Sequence, residues 1–206
     1  MGQKADLLPR EPGHDPEFDI VGRGMEQWRR ERPDIDCSGK AIVGRVLRLH
    51  DVILRAVNEV LAPHGLRYPS YAVLATLRAS GEPFQMSPSR LKQTLLLSSG
   101  GISNLLARLE RSGWIRRRAD RFDGRGVVVE LTGEGRTLID GVMPYHAEVE
   151  RSLVAMFEAE EQNELAALLS RMLIYNGSPM VATGLPTARP IAKPQESPKP
   201  KVQSND

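Results

Sequence analysis

Cysteine is nearly absent: Cys37 is the only one in 206 residues, which excludes an internal disulfide framework and any cysteine-built zinc site within one chain. The reducing cytoplasm is the compartment expected for such a chain. Long apolar runs are missing too. No stretch approaches the roughly 18 consecutive apolar residues of a membrane helix, and Met1 to Asp15 has no apolar core of a signal peptide, so neither membrane insertion nor secretion is expected. The four histidines, His14, His50, His64 and His146, stand alone, with no His-x-x-x-His or Cys-x-x-Cys spacing to hold a metal. Gly22-Arg23-Gly24-Met25-Glu26-Gln27 begins like a dinucleotide turn and fails at its last position, and no Walker lysine loop or G-x-S-x-G is present. Turnover and a bound cofactor therefore have no support, and the chain reads as a binding protein rather than an enzyme.

What is present is charge, unevenly placed. The totals of 28 Lys and Arg against 26 Asp and Glu nearly cancel. Met86 to Gly126 nevertheless carries nine basic residues against three acidic, and Glu130 to Leu165 nine acidic against two basic. An arginine-rich block beside an acidic segment predicts one face built for an anion and another kept away from it.

Residues 1–16 are polar and proline-punctuated, and residues 177–206 hold six prolines and no aromatic residue, so both read as disordered tails. Residues 17–37 form an extra element: Phe18 to Arg30 reads as a short helix carrying Ile20, Val21, Met25 and Trp28 ahead of Pro33. Ser38 to Ala62 is the longest periodic segment and has two apolar stripes, Ile42, Val46, Leu49, Ile53, Val57 and Val60 on one and Leu47, Leu54 and Leu61 on the other. A helix apolar on two sides is buried on two sides, and in a domain this small the second surface is expected from another copy of the chain.

Three short helices follow, at about Pro69 to Ala79, Pro88 to Leu96 and Ser99 to Ser112. Ser87 and Ser98 stand as caps, and Gly113 as the stop of the third. Trp114 to Arg117 and Val127 to Leu131 read as strands joined by a polar loop. Thr132 caps a long helix reaching about Phe157 and interrupted near Pro144. A last helix, Glu160 to Tyr175, places Leu165, Leu168, Leu169, Met172 and Leu173 on one face. The expected fold is mainly α with a small β-hairpin: a winged helix-turn-helix domain over residues 67–131, plus a helical dimerisation region from 38–66 and 132–176.

That order suits a protein that lays one helix in the major groove of duplex DNA and a hairpin against the neighbouring backbone. In Ser98-Ser99-Gly100-Gly101-Ile102-Ser103-Asn104-Leu105-Leu106-Ala107-Arg108 the first half is small and polar, while Ile102, Leu105, Leu106 and Leu109 face inward. Ser99, Ser103 and Asn104 are placed to read base edges, Asn suiting adenine. Gly100 and Gly101 allow close approach to the duplex or relieve crowding near the turn, and Arg108 is a phosphate clamp or a structural ion-pair partner. Ser87 and Arg90 add a cap and a charge at the preceding helix. In the wing, Arg116 and Arg118 share a face by strand alternation and Arg117 points toward the protein body. Arg121 and Arg125 lie in the loop as candidates for the minor groove or its phosphates, with Asp123 bracing Arg125.

From about Gly39 to Tyr175 the chain resembles the MarR (multiple antibiotic resistance) family of winged-helix transcriptional regulators. The resemblance is carried by His64-Gly65-Leu66, Tyr71 to Leu77, Leu97-Ser98 through Leu109-Glu110-Arg111-Ser112-Gly113, the wing, and Leu131-Thr132-Gly133-Glu134-Gly135-Arg136. It implies a homodimer with interlocked terminal helices that binds a near-palindromic operator, usually as a repressor. The family's Asp-x-x-Asp-Arg-Arg wing stands here as Asp120-Arg121-Phe122-Asp123-Gly124-Arg125, with one arginine lost to Gly124.

The extra helix with Trp28 resembles a branch of that family that includes PecS and urate-responsive regulators. The branch's ligand set is matched at Trp28 and Arg117, whereas Ala72 and Leu105 stand where an Asp and a second Arg would be. Two losses from four count against urate itself and leave a small aromatic or weakly acidic effector, or none. His50 and Tyr71 complete the candidate effector residues, and Trp28 as plain packing is the alternative. The rival reading of the whole is a winged helix that meets an acidic protein partner through its arginine block.

Overall fold

The computed structural model describes residues 19–95, 99–120 and 126–177. Its first helix starts where the sequence supplies a cap. Asp19 lies in extended backbone ahead of α1 (Ile20–Glu31), and its carboxylate accepts the N–H groups of Val21 and Gly22 at 2.7 and 2.8 Å. The other carboxylate oxygen accepts Arg45 Nε at 2.7 Å from α2 (Lys40–Leu61). One side chain thus both begins α1 and ties it to α2. Val21 packs over Gly44, where a Cβ would lie 3.0 Å from Val21 Cγ1.

The bond from the Gly22 amide, with that from Arg45, holds the Asp19 carboxyl below its ordinary pKa. A lowered folded-state value contributes stability above the unfolded pKa and loses it as pH falls through the folded one. Protection of residues 20–31 against amide exchange, taken relative to the intrinsic rate at each pH, is therefore expected to fall as pH drops through about 4 and below, ahead of protection in the core. Unchanged α1 protection down to the pH of global unfolding would count against this tie.

After a 3-10 turn at Ala62–His64 come α3 (Tyr68–Ala79), β1 (Gln85–Met86), α4 (Pro88–Leu95), α5 (Ser99–Arg111), β2 (Ile115–Ala119), β3 (Val127–Leu131) and α6 (Gly133–Leu153). Their apolar faces meet in one core that includes Leu61, Leu66, Leu74, Leu77, Leu91, Leu106, Leu109, Ile115, Val129 and Ile139. The long α2 enters that core only near its end. Val57 and Leu61 are buried, whereas Ile42, Val46, Leu49 and Ile53 of the same helix are exposed. Residues from 156 onward form a second unit whose described helix, α7 (Ala159–Gly177), buries none of its own residues and exposes Leu165, Leu168, Leu169 and Leu173. Among the described residues, no helix is long and apolar enough to cross a membrane.

Three expectations change in detail. The hairpin is part of a three-stranded antiparallel sheet ordered β1-β3-β2, because Gln85 and Met86 pair with Glu130 and Val129. The second strand starts one residue later than read and runs to Ala119, paired throughout from Ile115↔Leu131 to Ala119↔Val127. Helix α6 is continuous through Pro144 and ends at Leu153. Proline removes only the rung to residue 140, and both Asp140 and Pro144 are exposed, so water can satisfy the freed carbonyl. The two tails assigned to residues 1–16 and 177–206 lie outside the described residues, Gly177 apart.

Candidate nucleic-acid interface

Helix α5 is sorted by its own periodicity. Ile102, Leu105, Leu106 and Leu109 are buried, and Gly100, Gly101, Ser103, Asn104, Arg108 and Arg111 are exposed. Both sets recur at helical spacing, so the helix has one greasy side against α3 and α4 and one small, polar side without. Gly100 decides between the two readings of the glycines at its position: a Cβ there would meet nothing within 4 Å. The chain does not require a glycine at residue 100 for its own packing. Ser99 opens α5, and Ser98 lies outside the described residues.

Ahead of α5, Ser87 caps α4 as read: its Oγ accepts the Arg90 N–H at 3.3 Å, and Arg90 is exposed. Arg108 is held within the chain by a neutral partner. One of its terminal guanidinium nitrogens donates to Oγ of Ser70, a buried residue in the first turn of α3, at 2.9 Å. A shallow groove lined by Pro69, Gly101, Asn104, Leu105 and Arg108 runs between these two helices.

The strand arginines are all engaged. Arg116 and Arg118 share a face, as alternation requires, and both reach Glu130 of β3, at 2.5 and 3.0 Å. Glu130 raises the Arg116 pKa, chiefly through that hydrogen bond. Arg117 lies on the opposite face with Ile115 and Val129, and there it meets α5. The Glu110 carboxylate accepts its backbone N–H at 3.0 Å and stands 3.5 Å from its Nε. Glu110 and Glu130 join the site only through the structure. The β-register that places Glu130 opposite Arg116 was the available signal. Arg121, Asp123 and Arg125 lie outside the described residues.

The four candidate effector residues occupy four separate surroundings. Trp28 is half-exposed with Lys40 Nζ 5.9 Å from its ring centre. His50 is exposed beside Asp51, at 3.5 Å. Tyr71 is buried, stacks on His146 at 4.2 Å and donates to Met143 Sδ at 2.9 Å; burial pushes its phenol up to about 12. Arg117 holds Glu110. Grooves beside α2 are lined by other residues, among them Lys40, Gly44 and Arg48 in one and Arg55, Asn58 and Arg67 in another.

A helix-turn-helix with a basic three-stranded wing narrows the family, and sequence comparison decides it. The chain is 38% identical over 148 residues to the HTH-type transcriptional regulator PecS of Dickeya dadantii, covering 72% of this chain and 89% of that one. The protein belongs to the MarR family. The MarR family model matches residues 64–126, from the end of the 3-10 turn through the wing. Among solved structures, a C80S mutant of E. coli MarR complexed with operator DNA is 25% identical, with a TM-score of 0.59 over 71% of this chain and 97% of that one. AbsC, a MarR family transcriptional regulator of Streptomyces coelicolor, shares the fold with a TM-score of 0.64 at 23% identity, over 70% of this chain and 98% of that one. As a MarR family member the chain is a transcriptional regulator, and its relatives give no support to an enzyme.

Proposed function

We propose that this MarR family protein is a homodimeric, sequence-specific repressor that grips a near-palindromic duplex DNA operator with two copies of α5 and two wings. The observation that carries the reading is the outer side of α5. Its exposed residues include Gly100, Gly101, Ser103 and Asn104, none bulky enough to hold a base edge or phosphate away, and the adjoining hairpin presents Arg116 and Arg118. Residues 67–131 serve as the reading head, and 38–66 with 132–176 as the dimerisation region, supported by the exposed apolar stripe of α2. Residues 17–37 are an addition to that plan, and 1–16 and 177–206 are tails. The protein works in the cytoplasm, on the nucleoid.

Titration of duplex DNA in rising salt tests this. Log affinity should fall by about 0.9 per neutralised phosphate for each tenfold rise in salt. A protein-interaction module would bind no duplex at any salt. Asn104→Ala is expected to relax preference at one base pair at a cost of about 1–3 kcal/mol, and Arg125→Ala to weaken binding on all sequences alike. Gly100→Ala gives the cleanest contrast, since the added methyl has free space in the protein but not against a duplex. It should leave the fold as stable or more so, by up to about 1 kcal/mol, while operator affinity falls. Equal operator affinity in that variant would remove the argument from the open side of α5.

Regulation on this reading comes from a small aromatic or weakly acidic effector that binds one arrangement of the dimer better than the other. Two reading heads must reach half-sites about 34–36 Å apart, so a small change in their spacing suffices to release DNA. Trp28 and Arg117 are the residues to substitute first. A panel of such compounds that never shifts the duplex titration would leave a repressor without an effector.

A further inference from the structure

We infer that Thr132 is the positioning residue that fixes the aim of the recognition helix α5 from helix α6, an inference that rests on the DNA-binding reading above. The geometry is a three-way node. Thr132 N–H donates to the Trp114 carbonyl at 3.1 Å, and its hydroxyl donates to the Gly113 carbonyl at 2.7 Å. The same oxygen accepts the Gly135 N–H at 3.0 Å, capping α6. Gly113 and Trp114 are the second and third residues past α5, after Ser112. Gly113 turns the chain at φ 77, and the Trp114 N–H closes the helix by donating to the Leu109 carbonyl.

The contact has no slack. A Cβ at Gly135 would lie 2.0 Å from the Trp114 carbonyl oxygen, so the first turn of α6 sits directly on the backbone that leaves α5. From there α6 runs on to bury Ile139, Val142 and His146, the last against Tyr71 of α3. A helix anchored in this way sets an angle as well as a stability. Rotation of α6 about its own end must break the node or carry the exit of α5 with it. The Thr132 side chain is hydrogen-bonded to both segments, the α5 exit and the α6 start.

The test separates aim from stability. Thr132→Val keeps the shape and removes both hydroxyl bonds, whereas Thr132→Ser keeps them. A duplex selected by the wild-type protein from a randomised pool, and a scrambled duplex of equal length, are titrated with each variant. Loss of two hydrogen bonds that hold an angle is expected to weaken Thr132→Val on the selected duplex by about tenfold, with little change on the scrambled one, and Thr132→Ser should restore the wild-type ratio. An unchanged ratio in Thr132→Val, an equal loss on both duplexes, or no rescue by serine would overturn the inference. If Thr132→Val does not fold, amide exchange in the wild-type protein decides. The Gly135 amide should be protected like the core of α6 and slow further on the selected duplex, and exchange at the rate of a frayed helix end would overturn the inference. A wild-type protein that selects no sequence removes the underlying reading instead, and does so before any variant is made.

Discussion

Alanine at Gly135 is expected to lower the thermal midpoint by about 6–12 °C, the upper end of what overpacking costs. The reason is where the methyl must go. At 2.0 Å from the Trp114 carbonyl oxygen and 2.9 Å from its carbon it meets backbone, and Leu131 Cδ1 at 3.0 Å closes the other side. Neither backbone atom can rotate away as a side chain would. Overpacking of this kind costs about 1–3 kcal/mol or more, and each kcal/mol shifts the midpoint of a chain of this size by about 2–4 °C. Helix propensity works the other way by at most about 1 kcal/mol and cannot offset it. Thermal unfolding followed by circular dichroism checks the point, and a midpoint within 2 °C of wild type, roughly one surface substitution's worth, would show that α6 can lift off Trp114 cheaply.

The second large effect concerns assembly. Ile42 and Leu49 lie two turns apart on α2 and are 60% and 55% exposed, so Ile42→Glu with Leu49→Glu should barely disturb the isolated chain. In the proposed dimer both would carry charge into an apolar seam. Sedimentation should then report a monomer, and operator affinity should fall by about 10²–10⁴-fold, the usual gain from joining two binding heads. Affinity for a single half-site should remain. A double variant that stays dimeric would move the interface off this stripe.

Periodicity made most of this molecule legible. The inward set of α5, the caps at Ser87 and Thr132 and the stop at Gly113 all follow from local rules that the fold does not override. What escaped were the features that depend on pairing. The two-residue strand β1 is too short to alternate, so only its partner Glu130–Val129 reveals it. By charge pattern Glu130 opens an acidic stretch kept away from an anion, yet it holds two arginines of the wing. Arg117 meets Glu110 across the turn that joins α5 to β2, a contact between two elements that the period of neither predicts. Among the effector candidates Trp28 and Arg117 come from resemblance and His50 from its place on the long helix, and the surroundings of the four, Lys40, Asp51, His146 and Glu110, belong to four different places.

The internal partners of the wing strand bear on how such a protein's grip can be tuned. In the proposed complex Arg116 and Arg118 reach a phosphate only in competition with Glu130, so each delivers less than a full elementary charge to the duplex. Fewer ions are then set free on association than a tally of the basic block would forecast. On that reading binding strength drifts up or down through changes at Glu130 alone, while the residues proposed to discriminate one base from another stay as they are.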